Sequence, residues 1–334
     1  MTAFVDKDPT VRQCADLAGA VLDEIEKAVV GKRGALRTVL LGMLASGHVL
    51  LEDLPGVGKT LMARSFATAL GLTCTRVQFT PDLLPADLTG APVYDARTGD
   101  LSFRPGPVFT QLLLADEINR TPPKTQAALL EAMSEHRVSA DGETRELPDP
   151  FIVLATDNPI EFEGTYPLPE AQLDRFIARV GIGYPAAADE EELLRRRVAA
   201  GSPEPPSVRQ VVEPAGLPAM RRAVEKVEVD DDLYRYVVAL AAATRRHPHC
   251  AVGASPRASL ALLQLARAHA LVEGRDFLAP GDVKAVAVPA LGHRIVVKPE
   301  LWARRVTGDQ IVGEVLGEVP VPATVPARVR ESAP

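Results

Sequence analysis

Residues 55–61 carry the clearest chemistry in this sequence. An apolar run at 49–51 leads into a glycine-containing loop that ends in Gly58-Lys59-Thr60. A segment able to form a helix follows at 61–67. The glycines let successive backbone N–H groups turn toward one phosphate group, and the start of a helix adds a partial positive charge. Lys59 can reach the β- and γ-phosphates of a nucleotide, and the Thr60 hydroxyl can sit on Mg²⁺. The segment is therefore predicted to be a phosphate-binding loop.

One residue departs from the usual pattern of such loops, G-x-x-x-x-G-K-[ST]. Asp53 stands where the first glycine is expected. The strand before the loop and the helix after it are nevertheless the context that phosphate binding requires, so we retain the interpretation.

Two further strands end in polar side chains that suit the same chemistry. Asp116 and Glu117 follow the apolar run 112–115, and Asn158 follows the run 151–155. Ligands bind at the carboxyl ends of strands in sheets of this kind, so these side chains would lie beside the phosphate loop. Asp116 would hold Mg²⁺ through water, and Glu117 would orient and deprotonate the attacking water. Asn158 can hydrogen-bond the γ-phosphate or position that water; an Asx turn before proline is the local alternative.

Two arginines extend the set. Arg175 follows a short predicted helix and could reach the nucleotide of a neighbouring subunit in a ring, where an arginine finger contributes about 10³–10⁵ in rate. A local ion pair with Asp174 is the alternative. Arg257 lies in the first turn of a helix that Ser255 and Pro256 open. A cation is unfavourable at that end of a helix, so the placement makes sense if a phosphate accepts it.

The composition limits the class of protein. The chain has 334 residues, enough for two domains, and its 46% hydrophobic and 24% charged residues are a globular balance. A net charge of −7 and a pI of about 5.5 lack the basic excess of proteins that coat nucleic acid. Cys14, Cys74 and Cys250 are far apart and lack metal-ligand spacing, which favours a reducing compartment. No signal peptide is indicated, and the most apolar stretch, 39–51, is too short to span a membrane, so we expect a cytoplasmic protein without a transmembrane segment.

Apolar runs that alternate with helical patterns predict a parallel α/β sheet, covered on both faces, in the first half of the chain. The region 80–110 is rich in Pro and Gly and long for a loop, so it is expected to be functional. Beyond Tyr184 the pattern is helical. The predicted helices are 10–29, 33–45 and 123–135, the predicted strands are 47–52, 74–79, 112–115 and 151–155, and hairpins are predicted at 93–104 and 138–147.

In combination, these motifs resemble those of the AAA+ ATPases, and specifically those of the MoxR family. The resemblance extends over about residues 28–296 and depends on seven motifs in a fixed order. They are GHVLLED at 47–53, QFTPDLLP at 78–85, ADEINR at 115–120, LLEAM at 129–133, ATDNP at 155–159, GTYPLPEAQLDRF at 164–176 and GASPR at 253–257.

The resemblance implies a P-loop NTPase fold of the AAA+ type, in which a parallel-sheet α/β domain is followed by a small all-helical lid domain. We divide the chain into an N-terminal helix at 1–30, an AAA+ core at 31–185, a lid at 186–317 and a flexible tail at 318–334. ATP and Mg²⁺ are the implied cofactors. The implied nucleotide-binding residues are Val30, Gly31, Pro55, Gly56, Val57, Gly58, Lys59, Thr60 and Leu61, and the implied magnesium ligands are Thr60 and Asp116. The implied catalytic residues are Glu117 of the Walker B pair, Asn158 as sensor 1, Arg175 as arginine finger and Arg257 as sensor 2.

By the same resemblance, ATP would lie between the α/β domain and the lid. Arg257 would couple the γ-phosphate to the lid, and Arg175 would couple it to the next subunit. The region 80–110 looks like the family's helix-2 insert and 138–147 looks like its pre-sensor-1 hairpin, and both would push on a bound partner. Two positions differ from the family pattern: Asp157, where Gln is usual and a mild effect is expected, and Gly292, where Arg is frequent in a lid contact.

The family is associated with chaperone-like maturation of proteins, including metal and cofactor loading. We therefore expect an ATP hydrolase that acts as a homo-oligomer, with a hexamer as the family expectation. Its partner would be a protein client, and partners of the family often contain a von Willebrand factor A domain. No nucleic acid is expected.

Two other functions stay open at this point. A nucleic-acid motor would share the insert hairpins, but the hairpin 138–147 carries three acids beside Arg145 and the adjacent Arg137, which disfavours contact with phosphates. A nucleotide-binding scaffold without turnover would not need the full catalytic set.

The segment His247-Pro248-His249-Cys250 resembles a small metal cluster. A fourth ligand with fitting spacing is absent, and His and Pro are unremarkable in a loop between helices. We therefore do not expect a metal there.

Overall fold

The computed structural model describes residues 8–52, 56–94, 96–97, 100–140, 142–158, 164–201 and 206–323. The helices are α1 Val11–Glu26, α2 Arg33–Leu44, α3 Lys59–Ala69, α4 Pro85–Thr89, α5 Pro123–Glu135, α6 Glu170–Leu173, α7 Ala187–Ala200, α8 Gly216–Val224, α9 Asp231–Arg246, α10 Pro256–Val272, α11 Pro280–Leu291 and α12 Gly308–Glu318. The strands are β1 His48–Glu52, β2 Cys74–Gln78, β3 Gly90–Tyr94, β4 Leu101–Pro105, β5 Leu112–Asp116, β6 Arg137–Ala140, β7 Glu143–Glu146, β8 Ile152–Asp157, β9 Phe176–Val180, β10 Cys250–Val252 and β11 Val296–Val297.

A five-stranded parallel sheet forms the centre of the α/β region, in the order β2-β5-β8-β1-β9. The register sets Leu51 beside Thr156 and Ala115 beside Ala155, so the carboxyl ends of β1, β5 and β8 lie level. These three strands are apolar and almost wholly buried, as expected for parallel strands with cover on both faces. The predicted parallel α/β sheet is confirmed.

The sequence patterns do not predict the edge strand β9. Its apolar run, Phe176-Ile177-Ala178, is short and is followed by Arg179, so it gives no clear periodicity. Strand β9 pairs with β1 and sets Phe176 beside His48, at the amino-terminal edge of the sheet. Arg175, directly before β9, therefore lies at that edge.

Side chains of the sheet alternate between two hydrophobic cores, because successive residues of a strand point to opposite faces. Leu51, Leu114 and Leu154 belong to a core that also contains α1–α3 and the helices α8–α12. Leu50 and Leu113 belong to the other core, with α5. The helical region after β9 thus shares a core with the sheet, and α1 packs on α10. The division of the chain at residues 30, 185 and 317 stays a prediction.

Local capping explains where two helices begin. Helix α1 starts with a capping box, in which the Thr10 hydroxyl accepts the Gln13 N–H at 3.3 Å and the Gln13 side chain accepts the Thr10 N–H at 2.8 Å. It ends at Glu26, earlier than predicted. Helix α10 begins as predicted, since the Ser255 hydroxyl accepts the Ala258 N–H at 3.1 Å and Pro256 is its first residue.

Both predicted hairpins are present. Strands β3 and β4 pair with Tyr94 opposite Leu101, and β6 and β7 pair with Arg137 opposite Glu146. The short helix α4, within the Pro- and Gly-rich region 80–110, precedes the first hairpin. The hairpin tips at 95, 98–99 and 141, the tail at 324–334 and the segment 53–55 lie outside the described residues.

After β9, the helices α7–α12 follow, with the antiparallel pair β10–β11 between them. Within the described part of the chain, no helix combines the length and the hydropathy needed to cross a membrane.

Candidate functional site

The loop between β1 and α3 has the backbone that phosphate binding needs. Gly56 and Gly58 have φ angles of +82° and +92°, which favour glycine. A Cβ built at either glycine would meet no atom of the described residues within 4 Å, so these residues leave the space above the loop open. Lys59 begins α3, and its Nζ donates to the backbone carbonyl of Asp157 at 3.2 Å. The lysine thus extends from the start of α3 to the end of β8. Asp53 and Pro55 lie outside the described residues.

The acidic pair lies at the same edge of the sheet and is organised by a threonine. Asp116 ends β5, and Glu117 follows with a φ of +58°, which is uncommon for a residue with a side chain. The Thr156 hydroxyl accepts the Glu117 N–H at 2.7 Å and donates to Asp116 Oδ1 at 2.7 Å. Thr156 is buried. One hydroxyl therefore fixes both the turn at Glu117 and the orientation of the Asp116 carboxylate.

Side chains of β2 contact one further oxygen of each acid. Arg76 donates to Asp116 Oδ2 from Nε at 3.0 Å and from Nη2 at 2.7 Å. Gln78 donates to Glu117 Oε2 at 2.6 Å, and Arg120 lies 3.0 Å from the same oxygen. Both oxygens of Asp116 are engaged, so a hydrated Mg²⁺ suits this carboxylate better than a directly bound ion.

Two residues at the end of β8 differ in their surroundings. Asn158 is buried, and its backbone carbonyl accepts a hydrogen bond from the Asn119 amide at 3.3 Å. Burial and the charge of Glu52 raise the pKa of Asp157, against the opposing effects of the Asn158 N–H and Lys59. Among the described residues, the Oδ1 atom of Asp157 has no hydrogen-bond partner. The effect of an aspartate at this position stays a prediction.

The turn between α1 and α2 is fixed against the segment that leads to α7. Val30 is buried, and Gly31 has a φ of +70°. A Cβ at Gly31 would lie 2.2 Å from the carboxyl carbon of Asp189, so both the backbone conformation and the space require glycine. Lys32 donates to the Tyr184 carbonyl at 2.7 Å. Glycine is therefore required at this turn, and its expected place beside the adenine stays a prediction.

Arg175 and Arg257 lie away from the phosphate loop and the acidic pair. Both line a cavity of about 290 Å³ at the amino-terminal edge of β1, with His48 in its wall. Residues His48 to Glu52 separate this edge from the phosphate loop, which at about 3.3 Å per residue is about 13 Å. Arg257 therefore lies at the opposite edge of the sheet from the phosphate loop of its own chain, and its expected coupling to a γ-phosphate stays a prediction.

The cavity is positively charged, and hydrogen bonds fix the Arg175 side chain in its wall. Arg175 donates to the Leu130 carbonyl at 2.7 Å and to the Ser134 hydroxyl, so its side chain lies on the end of α5. Burial, opposed by a hydrogen bond to the Met133 carbonyl, lowers the pKa of His48 to about 4, so this wall is neutral. The charge of the cavity comes from its arginines.

Asp174 connects this cavity to the helical region. Its Oδ1 accepts from Arg294 Nε at 2.7 Å, and its Oδ2 accepts from the Ser255 hydroxyl at 3.0 Å. Arg294 is buried and also donates to the carbonyls of Asp174 and Phe176. The alternative of an Asp174–Arg175 surface pair is thus replaced by a buried Asp174–Arg294 pair, which fixes the segment that carries Arg175.

A second connection lies near the phosphate loop. Arg179 pairs with Glu52 at 2.7 Å and with Asp309, on the first turn of α12, at 2.7 Å. A Cβ at Gly292 would lie 1.8 Å from Asp309 Oδ1. A larger residue at 292 would therefore displace Asp309. In this chain Arg179, rather than an arginine at position 292, makes the contact between the sheet and the lid helices.

Sequence reasoning missed Thr156, Arg76, Gln78 and Arg294. Thr156 could have been found, because it lies at the carboxyl end of a predicted strand next to Asn158. The two side chains of β2 could not, because their contact with the acids depends on the strand order of the sheet.

Two family models match the chain. The ATPase family associated with various cellular activities (AAA) matches residues 48–178, and the AAA lid domain matches residues 242–315. Together with the sheet order and the phosphate loop, these matches define an AAA+ ATPase with a helical lid.

Relatives narrow the class. YeaC of Bacillus subtilis is 45% identical over 306 residues, which cover 92% of this chain and 95% of that protein. Chaperone MoxR1 of Mycobacterium tuberculosis is 41% identical over 308 residues, covering 90% and 81%, and Protein MoxR of Methylorubrum extorquens is 32% identical over 343 residues, covering 93% and 96%. The crystal structure of a "putative ATPase" from Cytophaga hutchinsonii matches with a TM-score of 0.86 at 38% identity, covering 93% and 97%.

The chain belongs to the MoxR family of AAA+ ATPases. The predicted family, the P-loop fold and the helical lid are confirmed. Nucleotide binding, ATP hydrolysis and a chaperone-like role are general properties that this family supports.

Proposed function

We propose that this chain hydrolyses ATP with Mg²⁺ at a site that a second copy of the chain completes. Lys59 and the N–H groups of residues 56–61 would hold the phosphates, and Val30 and Gly31 would border the adenine. Thr60 and Asp116 would hold the hydrated Mg²⁺, which would neutralise phosphate charge. Open space above the two loop glycines supports this assignment, since a triphosphate needs that room.

Within one chain, the groups at the carboxyl edge of the sheet would carry out part of the reaction. Glu117 would take the proton of the attacking water, and Asn158 would position that water or the γ-phosphate. In the structure Gln78 and Arg120 both contact Oε2 of Glu117, so we assign the role of base to the other carboxylate oxygen, Oε1. Binding of the nucleotide would draw Arg120 away from Glu117, because the phosphates attract its guanidinium group.

The location of Arg175 and Arg257 carries the proposal of a shared site. Both line one cavity at the sheet edge remote from their own phosphate loop. Two cations at one exposed edge suit the anionic nucleotide of a neighbour, which they would stabilise during phosphoryl transfer. A head-to-tail contact of this kind forms a ring when the rotation closes, and we propose a hexamer.

Mixing two inactive variants tests the shared site. Lys59→Ala removes nucleotide binding but leaves the arginines, whereas Arg257→Ala leaves the phosphate loop and removes one arginine. In a random one-to-one mixture about one interface in four joins an intact loop to an intact arginine. We expect each variant alone to be inactive and the mixture to regain ATPase activity; Arg175→Ala should behave like Arg257→Ala.

A matched control and a contrary result complete the design. Arg195, which pairs with Glu191 on the exposed face of α7, supplies the control variant Arg195→Ala, which should retain full activity. If both arginines acted within their own chain, no mixture would contain a complete site, and activity would stay at the level of the separate variants.

We further propose that hydrolysis remodels or matures a protein client. The hairpin β3–β4 and the turn before it expose apolar side chains that a lone chain would not need on its surface. Tyr94 is 64% exposed, Leu101 is 63% exposed on the opposite strand, and Leu84 is 61% exposed. Exposed apolar groups concentrated on the hairpin and on the turn before it favour contact with protein.

Nucleic acid is a less suitable partner. On the second hairpin Arg145 pairs with Glu143 and stacks 3.8 Å above the Phe103 ring, and Arg137 pairs with Glu135. These cations are occupied by protein groups, whereas phosphate contacts need available cations.

Capture of the client tests this part. Glu117→Gln should bind ATP without hydrolysing it and should retain the client during purification. Adding Tyr94→Ser and Leu101→Ser should lose the client and leave nucleotide binding intact. A von Willebrand factor A domain protein is the client we propose, with metal or cofactor loading as the outcome of its maturation. Stimulation of the ATPase by DNA instead would contradict the assignment.

A further inference from the structure

Two histidines and a glutamate meet in the lid, away from the candidate nucleotide site. His247 directly follows α9, His249 lies in the turn before β10, and Glu314 belongs to α12. One ligand atom from each of the three side chains lies within 4.8 Å of the others. His247 Nε2 is 2.9 Å from Glu314 Oε2, and the two imidazole rings are 5.2 Å apart between centroids.

The sequence argued against a metal here because no further ligand with suitable spacing accompanies the histidines. The fold supplies one from a remote segment, since α12 packs against α9 and brings Glu314 to the pair. A ligand from a distant helix leaves no spacing signal in the sequence. The structure therefore removes the main objection to a metal at this loop.

The ligand types select a class of ion. Two imidazoles and a carboxylate suit zinc and similar divalent transition metals, whereas Mg²⁺ and Ca²⁺ prefer oxygen ligands. A tetrahedral zinc centre has ligand atoms about 3.3 Å apart, so a pair of ligand atoms at the 4.8 Å limit must approach by about 1.5 Å. Glu314 has a side chain that is 52% exposed and can make that movement.

Two features of the surroundings favour a cation. The Nδ1 atom of His249 is buried and has no hydrogen-bond partner among the described residues, an arrangement that natural structures usually avoid. His247 is the C-cap of α9, a helix of 16 residues, whose carbonyl end carries a partial negative charge. Both features leave this point of the lid better suited to an occupied site than to an empty one.

One hydrogen bond opposes metal binding. His247 Nδ1 accepts the His249 N–H at 3.3 Å, so the proton of the neutral ring lies on Nε2, toward Glu314. A metal on Nε2 requires that proton to move to Nδ1, with loss of the long hydrogen bond. The carboxylate replaces its hydrogen bond with a bond to the ion.

We propose that His247, His249 and Glu314 bind one divalent transition-metal ion of the zinc class, with a water molecule as a fourth ligand. The ion ties α12 to the end of α9. Because Asp309 at the start of α12 pairs with Arg179, and Arg179 pairs with Glu52, the tied helix is the one that contacts the strand before the phosphate loop. This proposal does not depend on the proposed function.

Cobalt supplies the test, because Co²⁺ replaces zinc and its ligand-field absorption reports the coordination geometry. The full chain, stripped with a chelator and free of nucleotide, is titrated with CoCl₂ in a Cys74→Ser background, which removes the exposed thiol. We expect saturation at one equivalent with intense visible bands, and displacement of Co²⁺ by Zn²⁺. His249→Gln and Glu314→Gln should each weaken binding at least about tenfold.

The control is Glu318→Gln, which removes an exposed carboxylate one turn further along α12. It should bind Co²⁺ like the parent. Zn²⁺ should raise the unfolding temperature of the parent and of Glu318→Gln more than that of Glu314→Gln, because stabilisation of the folded state grows with the affinity for the ion. Thermal unfolding without metal checks that all variants are folded. Absence of stoichiometric binding, unchanged affinity in both ligand variants, or a sulfur-to-cobalt charge-transfer band would overturn the proposal.

Discussion

Replacing Thr156 by valine tests whether one hydroxyl organises the acidic pair. Valine has nearly the same shape, and residue 156 is buried in the sheet, so packing should change little. The substitution removes the acceptor of the Glu117 N–H and the donor to Asp116, each at 2.7 Å. The backbone of Glu117, held at a φ of +58°, then loses the contact that stabilises it.

The magnitude follows from the two lost hydrogen bonds. A neutral hydrogen bond contributes about 1 kcal/mol and one to a charged group about 2 kcal/mol, so the stability should fall by about 3 kcal/mol. Arg76 still holds the other oxygen of Asp116, which keeps the carboxylate paired. A general base that is misplaced by about 1 Å can lose about 10²-fold in rate. We therefore expect kcat for ATP to fall by about 10- to 100-fold, with a smaller change in nucleotide affinity.

Steady-state ATPase kinetics, nucleotide titration and urea unfolding measure these effects separately. Thr156→Ser keeps the hydroxyl and should keep most of the activity, which distinguishes the hydrogen bonds from the methyl group. If Thr156→Val hydrolysed ATP at the parental rate while remaining folded, the role given to this hydroxyl would be wrong.

Three more perturbations give distinct signatures. Arg76→Gln frees Asp116 from its ion pair, which is weak because the Arg76 side chain is 50% exposed. The magnesium concentration for half-maximal ATPase activity should therefore fall, by no more than about fivefold. A rise in that concentration would contradict the prediction. Burial would raise the pKa of Asp282, but hydrogen bonds from an arginine, a histidine and a backbone N–H lower it from 3.8 to about 2. The stabilisation of the fold by the Asp282 carboxylate is therefore complete above pH 3.8 and lost toward pH 2. Asp282→Asn should lower the free energy of unfolding in urea by about 2 kcal/mol at pH 7 and by less at pH 3. The same loss at both pH values would refute this prediction. Gly292→Ala should displace Asp309 and lower the stability in thermal unfolding by about 1 kcal/mol. Gly313→Ala, where a Cβ meets no atom of the described residues within 4 Å, should not destabilise the protein in that assay.

Much of the fold could be read from local patterns. The apolar strands at the centre of the sheet carry a strong signal because burial on both faces demands continuous hydrophobic runs, and helix 123–135 was located to the residue. The start of α10 followed from Ser255 and Pro256, because capping depends on neighbours in the chain. Strand β9 was missed because an edge strand with Arg179 in it lacks such a run.

The site divides in the same way. The phosphate loop, the acids and Asn158 are fixed by motifs that each occupy a few consecutive residues, and the strand order then brings them to one edge. Arg257 illustrates the limit. Its position on a helix could be predicted, but the side of the sheet on which that helix lies depends on packing between segments about 80 residues apart, which no local pattern encodes. Its distance from the phosphate loop therefore had to come from the structure.

The turn at 292–294 connects the two edges of the sheet along β9. At the amino-terminal edge, His293 contacts the Phe176 carbonyl at 3.0 Å, and Arg294 holds Asp174 beside Arg175. At the other edge, Gly292 lies against Asp309, whose partner Arg179 pairs with the strand before the phosphate loop. Because His293 and Arg294 are buried, we expect the turn to move as one unit rather than at one edge alone. Under the proposed function, a change of nucleotide at the chain's own loop would therefore reach the arginines offered to the neighbour through this one turn of the lid.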